Sequence, residues 1–105
     1  MKDVEQMQRK LLSMQGIEFN EPHMSIRMEQ RGVIREHILS NLRNPSKLDK
    51  FIDMGEKESG RKKYKLYFKI SNKRTLWIMI SMNTKIKVLT TNYVIDRWQK
   101  KVEKR

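Results

Sequence analysis

The sequence predicts a small α+β domain, in which a helical hairpin packs on a three- to four-stranded antiparallel sheet with an extra helix at each end of the chain. Three observations lead to this fold class. Up to about residue 43 the apolar residues recur at helical spacings, and from about residue 51 they alternate with polar ones, as in strands with one buried face. The length of 105 residues is enough for one hydrophobic core.

Three helices are predicted in the first half of the chain, over about 2 to 15, 21 to 31 and 34 to 43. Residues 16 to 20, between the first two predicted helices, are predicted to form a short strand or an entry turn. Asn20 is the expected N-cap of the second helix, and Gly32 separates the second from the third. The expected buried row of the third helix consists of Ile34, Ile38 and Leu42.

Strands are predicted over about 51 to 57, 63 to 70, 75 to 82 and 85 to 91. In the second and third of these strands the even-numbered residues are mostly apolar, so they should face the core. In the last strand Ile86 and Val88 should be buried, with Leu89 and Thr91 on the outer face. The tail from Ile95 onward has apolar residues at helical spacing and predicts the C-terminal helix.

The positive charge is confined to the second half of the chain. Residues 1 to 58 hold ten basic and ten acidic residues, whereas residues 59 to 105 hold fourteen basic and two acidic ones, which accounts for the whole net charge of +12. No acid stands between Glu58 and Asp96, against nine Lys or Arg. This asymmetry predicts a polyanionic partner, with nucleic acid first and an acidic protein or an anionic membrane surface as alternatives.

The outer face of the predicted sheet interleaves cations with aromatic residues, which offers phosphate contacts and base stacking together. A solvated basic surface is the alternative interpretation. The basic C-terminal tail extends the same charge. The candidate nucleic-acid-binding residues are therefore Lys63, Lys65, Tyr67, Lys69, Trp77, Lys85 and Lys87 in the sheet and Arg97, Lys100 and Lys101 in the tail.

A column of cations follows one side of the second predicted helix. His23, Arg27 and Arg31 stand four residues apart, and neither arginine has an acid at a neighbouring helical position. Two explanations remain open. A carboxylate reaches the column from elsewhere in the fold, or the column binds a phosphate, which the fork of a guanidinium matches well. The candidate carboxylates are Glu18, Asp49, Asp53 and Glu56.

Several other kinds of site find no support in the sequence. There is no cysteine, so disulfides and thiolate metal sites are excluded. The two histidines and the scattered acids match no metal-ligand spacing, and neither a glycine-rich phosphate loop nor a nucleophile elbow is present, so no cofactor is expected. We also find no signal-peptide pattern and no apolar run of membrane-spanning length, which predicts a soluble, cytoplasmic protein.

Several motifs resemble a family of small prokaryotic domains assigned to the RelE-like toxin class, which shares its broad fold with colicin-type tRNA nucleases and barnase. The first motif is His23-x-x-x-Arg27-Met28-x-x-Arg31-Gly32-Val33. The others are the third predicted helix, which ends at Asn44-Pro45, and a strand end with Thr91-x-Tyr93. The resemblance covers about residues 17 to 95. Residues 1 to 16 are then an N-terminal helical extension, and residues 96 to 105 a basic helical tail.

This resemblance implies a metal-independent endoribonuclease held inactive by an antitoxin, which we expect to be acidic. It makes His23 the general acid or base, places Arg27 and Arg31 on the scissile phosphate, and gives Thr91 and Tyr93 hydrogen-bonding roles. The N-terminal helix is a candidate dimer contact. Two alternatives stay open: a nucleic-acid-binding protein without catalytic activity that uses the basic sheet face, and an interaction module for an acidic protein.

Overall fold

Three α-helices and five strands make up residues 3–56 and 61–95, the part of the chain that the computed structural model describes. The helices are α1 (Val4–Leu12), α2 (His23–Arg31) and α3 (Arg35–Arg43). The strands are β1 (Ile17–Phe19), β2 (Leu48–Glu56), β3 (Lys62–Ser71), β4 (Arg74–Met82) and β5 (Ile86–Ile95). The predicted α+β class is confirmed. The predicted C-terminal helix lies mostly at 96–105, outside the described residues, but Ile95 belongs to β5 and not to a helix.

The five strands form one mixed sheet in the order β1-β5-β4-β3-β2. Strands β2 to β5 are an antiparallel meander, as predicted. Strand β1 joins it in parallel to β5, with Ile17 opposite Ile86 and Phe19 opposite Val88. The prediction of a wholly antiparallel sheet of three or four strands was therefore wrong, because a strand of three residues is too short to show its period and its partner lies far along the chain.

The helices and one face of the sheet enclose the core. The even-numbered apolar residues of β3 and β4 from Tyr64 to Met82 are buried, except the half-buried Ile70, which confirms the predicted inner face. Ile34 was predicted to be buried but is 68% exposed, because it precedes α3 in extended conformation. None of the three helices is long and apolar enough to cross a membrane. The helices contribute Met7, Leu11, Met24, Met28, Ile38 and Leu42 to the core.

The N-terminal extension is part of this same core. Its helix α1 begins at an Asp3 N-cap, whose carboxylate accepts a hydrogen bond from Gln6 N at 2.8 Å. Met7 and Leu11, one helical turn apart, are almost completely buried, whereas Leu12 is 61% exposed. The apolar face of α1 is thus used inside the chain, and a dimer contact through this helix stays a prediction.

A β-bulge in β5 changes which side chains face outward. Met79 pairs with Thr90 and Ile80 pairs with Val88, so Leu89 is one extra residue in the strand. The extra residue shifts the alternation of side chains by one position, and Thr91 becomes fully buried. The prediction that Thr91 faces outward was wrong for this reason.

Helix α2 ends abruptly and lies against β5. Gly32 adopts a left-handed conformation with φ 63°, and Val33 N donates to the Met28 carbonyl at 2.9 Å, which closes the helix. The expected Asn20 cap was wrong, because Pro22 occupies the N-cap position and no side chain caps this end. Strand β1 pairs only with the start of β5, and α2 packs along β5 as its main helical neighbour.

Candidate nucleic-acid interface

An open groove of about 420 Å³ lies between α2 and the outer face of β3, β4 and β5. Helix α2 supplies a basic wall, and the strands supply a floor with one indole ring. None of the described residues that line the groove carries a carboxylate. The lining residues are Asn20, His23, Arg27, Arg31, Lys63, Trp77, Met79, Leu89 and Thr90.

Arg31 is held in this groove by neutral acceptors. Its Nη1 donates to Thr90 Oγ1 at 3.1 Å and to the Thr91 carbonyl at 2.8 Å. Its guanidinium carbon lies 5.9 Å from the centre of the Trp77 ring. These contacts orient the guanidinium but leave its positive charge without a compensating carboxylate among the described residues.

Arg27 and His23 complete the basic wall of α2. Both side chains are exposed, and within residues 3–56 and 61–95 neither makes a hydrogen bond or an ion pair. Two of the carboxylates proposed as their partners bind elsewhere. Glu18 pairs with Lys85 at 3.4 Å, and Asp53 pairs with Lys62 at the same distance.

Arg35, in the first turn of α3 after the turn at Gly32, pairs with an acid. Its Nη2 lies 3.2 Å from Glu21 Oε1. Its guanidinium also stacks 4.2 Å above the centre of the Phe19 ring. The pKa of Glu21 is lowered, first by the hydrogen bond from the Ser25 hydroxyl and then by Arg35. The charge of Arg35 is therefore balanced by a carboxylate, whereas neither arginine in the groove pairs with a carboxylate among the described residues.

The basic sheet face, defined here as the outer face of β2 to β5, adjoins the groove. The register places Lys63 opposite Ser81, and Ser81 opposite Lys87, so these three side chains share one face. Lys65, Tyr67, Lys69 and Trp77 lie on the same face. Lys85 lies in the turn before β5, and Arg97, Lys100 and Lys101 are outside the described residues.

Sequence reasoning missed Lys50, which the structure adds to the basic sheet face. It lies opposite Tyr67, and its Nζ is 4.9 Å from the centre of that ring. The predicted strand began at residue 51, three positions after the first residue of β2, because the register shift between Leu48 and Lys50 obscures the alternation at the start of the strand. The signal that could have identified Lys50 was Tyr67, the aromatic residue opposite it on β3.

Comparison with protein-family models, with curated proteins and with solved structures found no match for this chain. The functional argument therefore depends on the geometry and charge of the interface. Among the described residues, no group of three or more His, Asp or Glu is placed to hold a metal ion.

Thr91 and Tyr93 lie outside the groove. The buried hydroxyl of Thr91 donates to the Trp77 carbonyl at 2.9 Å, so it is engaged within the sheet. Tyr93 Oη lies 2.6 Å from His37 Nδ1, and the Arg74 guanidinium stacks 3.7 Å above the tyrosine ring. The structure thus brings His23, Arg27 and Arg31 together, and Thr91 reaches them only through its backbone carbonyl, whereas the side chains of Thr91 and Tyr93 are engaged elsewhere.

His37, on α3, is half-buried and lies against the ring of Tyr93. Its pKa is lowered from the ordinary value of 6.5, first by burial and then by the charges of Lys47 and Arg74. The spacing of His37 along α3 gave no sign of this contact, because its partner is 56 residues away in β5.

Proposed function

We propose that this chain binds RNA and cleaves its phosphodiester bonds without a metal ion, as an endoribonuclease of RelE-like type. The observation that carries the proposal is the groove lined by His23, Arg27, Arg31 and Lys63 with no carboxylate among its described lining residues. A groove of this kind attracts a phosphate, because Arg27 and Arg31 lie four residues apart on one helix and neither pairs with a carboxylate among the described residues, and like charges held close together cost free energy.

The binding step uses the two arginines of α2. Arg31 is already oriented by Thr90 and by the Thr91 carbonyl, so little side-chain entropy is lost when it contacts a phosphate. Arg27 supplies a second guanidinium from the same wall, and its planar fork matches two phosphate oxygens. The expected acidic antitoxin would compete with RNA for these charges, and this partner stays a prediction.

The proposed chemical step is attack of the ribose 2′-oxygen on the adjacent phosphorus. The new bond joins the 2′-oxygen to phosphorus and the bond to the 5′-oxygen breaks, which gives a 2′,3′-cyclic phosphate and a 5′-hydroxyl. His23 accepts the 2′-hydroxyl proton as the general base, through a ring nitrogen that carries no proton. Arg27 and Arg31 stabilise the charge that develops on the phosphoryl oxygens, and Lys63, which lines the same groove, protonates the departing oxygen.

A second candidate function is nucleic-acid binding without cleavage. The observation that favours it is the extent of the basic sheet face, which reaches across β3 to Lys50 on β2, well beyond the groove. Phosphate contacts and aromatic platforms of this kind bind single strands without any catalytic group.

The deciding experiment measures RNA cleavage in the presence of a chelator together with RNA binding. The variants are His23→Ala and the double variant Arg27→Ala, Arg31→Ala. Arg43→Ala is the matched control, because Arg43 is exposed on α3 and lines a different cleft. We expect His23→Ala to lose cleavage by roughly 100-fold or more and to keep binding, and we expect the double variant to lose both.

Two outcomes of this experiment contradict the proposal in different ways. Binding by the wild type without cleavage of any RNA offered would favour the second candidate function. Absence of both binding and cleavage would overturn both candidates, and a His23→Ala variant that cleaves like wild type would remove His23 from the chemistry.

A further inference from the structure

Cations and aromatic rings alternate in a single row across the basic sheet face. Lys50 Nζ lies 4.9 Å from the centre of the Tyr67 ring, and Lys65 Nζ lies 5.4 Å from the same ring. Lys65 Nζ is also 4.5 Å from the centre of the Trp77 ring, and the Arg31 guanidinium is 5.9 Å from that ring. The row therefore reads Lys50, Tyr67, Lys65, Trp77, Arg31, and it ends in the groove.

The sheet register explains why this row runs across the strands. Lys50 of β2 pairs with Tyr67 of β3, and Tyr67 pairs with Trp77 of β4. Directly paired residues on neighbouring strands have their Cβ atoms about 5 Å apart, so Tyr67 and Trp77 are neighbours on this face of the sheet. Lys65 reaches the space between them from two residues away on the same face of β3.

We propose that this row binds two consecutive unpaired nucleotides of single-stranded RNA, with one base stacked on Trp77 and the next on Tyr67. The phosphate that joins the two nucleotides contacts Lys65. The flanking phosphate on one side contacts Arg31 and enters the groove, and the flanking phosphate on the other side contacts Lys50. This inference rests on the proposed RNA-binding function and specifies its substrate class.

The chemistry of the row favours an unpaired strand over a duplex. A base can stack on an aromatic side chain only when its own face is free, and in an A-form duplex the faces are covered by the neighbouring base pairs. In the free chain the cations lie over the rings, where an exposed cation–π contact is weak. RNA replaces each such contact with a base on the ring and a phosphate on the cation, and both exchanges are favourable.

The alternation of charge and ring also fits the repeat of a nucleic-acid strand, in which every base is flanked by two phosphates. A surface that binds only the backbone of a duplex needs cations that contact the phosphates. Aromatic rings between those cations would add nothing to such binding. The positions of Tyr67 and Trp77 between three cations are therefore the feature that separates the two kinds of substrate.

The first test needs only the wild-type chain. We would measure its affinity by fluorescence anisotropy for a single-stranded RNA of about ten nucleotides, for a duplex of the same length, and for the same single strand lacking two adjacent bases. The last oligonucleotide keeps every phosphate. We expect the single strand to bind most tightly, and the loss of two stacked bases to weaken binding by roughly 20-fold or more.

The second test uses paired variants that keep or remove the rings. Trp77→Phe and Tyr67→Phe keep an aromatic platform, whereas Trp77→Leu and Tyr67→Leu keep an apolar side chain without a platform. We expect each leucine variant to bind the single strand roughly 5- to 100-fold more weakly than its phenylalanine counterpart. Circular dichroism checks that all four are folded, and the abasic oligonucleotide tests the inference if a leucine variant is not.

The outcomes separate this inference from the function on which it rests. If the wild type binds the abasic strand and the duplex as tightly as the complete single strand, RNA binding stands and the stacking row is wrong. If leucine and phenylalanine variants bind alike while folded, the rings carry no bases and the inference is likewise overturned. If the wild type binds none of the three RNAs, the proposed function fails first.

Discussion

The Arg31 guanidinium donates to the Thr90 hydroxyl across 3.1 Å and so joins helix α2 to strand β5 where the groove meets the sheet. A carboxylate in place of the hydroxyl would have fixed the arginine equally well and cancelled its charge. The neutral acceptor holds the guanidinium in place and keeps its charge available to a ligand. We infer that the groove binds an anion because the acceptor for Arg31 is a neutral hydroxyl and not a carboxylate.

Removal of the Thr90 hydroxyl should weaken RNA binding without unfolding the chain. In Thr90→Val, Arg31 keeps only the Thr91 carbonyl, so its position is less well defined. We expect RNA affinity to fall roughly two- to tenfold, the equivalent of one lost hydrogen bond. Thr84→Val, in the turn between β4 and β5, is the control, and equal affinities for the two variants would show that Thr90 does not position Arg31.

Two adjacent leucines test whether α1 belongs to the core. Leu11 is 3% exposed and Leu12 is 61% exposed. We expect Leu11→Ala to lower the free energy of unfolding by about 2–5 kcal/mol, the cost of a cavity in a packed core. Leu12→Ala should change it by less than about 0.5 kcal/mol. Urea denaturation measures both, and similar losses for the two variants would contradict the packing of α1.

Protonation of His37 should destabilise the chain as the pH falls. Burial and two nearby cations lower the pKa of His37 from 6.5, so the folded state binds its proton less readily than the unfolded state. The stabilisation from neutral His37 is complete above the unfolded pKa and is lost as the pH falls from there through the folded pKa.

We therefore expect the free energy of unfolding to decrease as the pH falls below 6.5, the ordinary value, and His37→Gln to flatten this dependence. Histidine ring NMR follows the same titration directly, because the chain has two histidines and the variant identifies the His37 signal. A His37 midpoint above 6.5, the ordinary value, would contradict the structure.

The salt dependence of RNA binding should distinguish two neighbouring lysines of β3. Lys65 lies between two aromatic rings on the basic sheet face, whereas Lys62 points to the other face and pairs with Asp53. In Lys65→Gln the slope of log affinity against log salt concentration should fall by about 0.7, the loss of one phosphate contact on a single strand. Lys62→Gln should keep the wild-type slope, and an equal change in both would indicate a non-specific effect of net charge.

Local patterns predicted much of this fold. The alternation in 63 to 70 and 75 to 82 identified the inner and outer faces of β3 and β4 correctly, because a half-buried strand repeats every two residues. The helix predicted over 21 to 31 and followed by Gly32 matches the end of α2 at Arg31 and begins two residues before its start. In both cases the deciding information lies within a few residues of the chain.

The errors arose where distant residues decide the structure. The bulge at Leu89 reverses the side chains that follow it, and nothing in the sequence of β5 marks the extra residue. The parallel pairing of Ile17 with Ile86 joins segments far apart in the chain, and so does the contact between His37 and Tyr93.

The candidate site was predicted in part for the same reason. His23, Arg27 and Arg31 share a helix, so their spacing alone placed them together. Their neighbours Lys63 and Trp77 were predicted to lie on the outer face of the sheet. The sequence did not predict that this face and α2 line one groove, because that depends on how α2 packs along β5.

The most direct test of the central claim compares RNA binding by Arg27→Gln and Arg43→Gln. Both variants lose one exposed positive charge from a helix, but only Arg27 of the two lines the groove, which has no carboxylate among its described lining residues. The account predicts that Arg27→Gln weakens binding of a single-stranded RNA by about tenfold or more, whereas Arg43→Gln changes it by less than about twofold. Equal affinities of the two variants would contradict the account, because the groove would then contribute no more than any other positive charge on the chain.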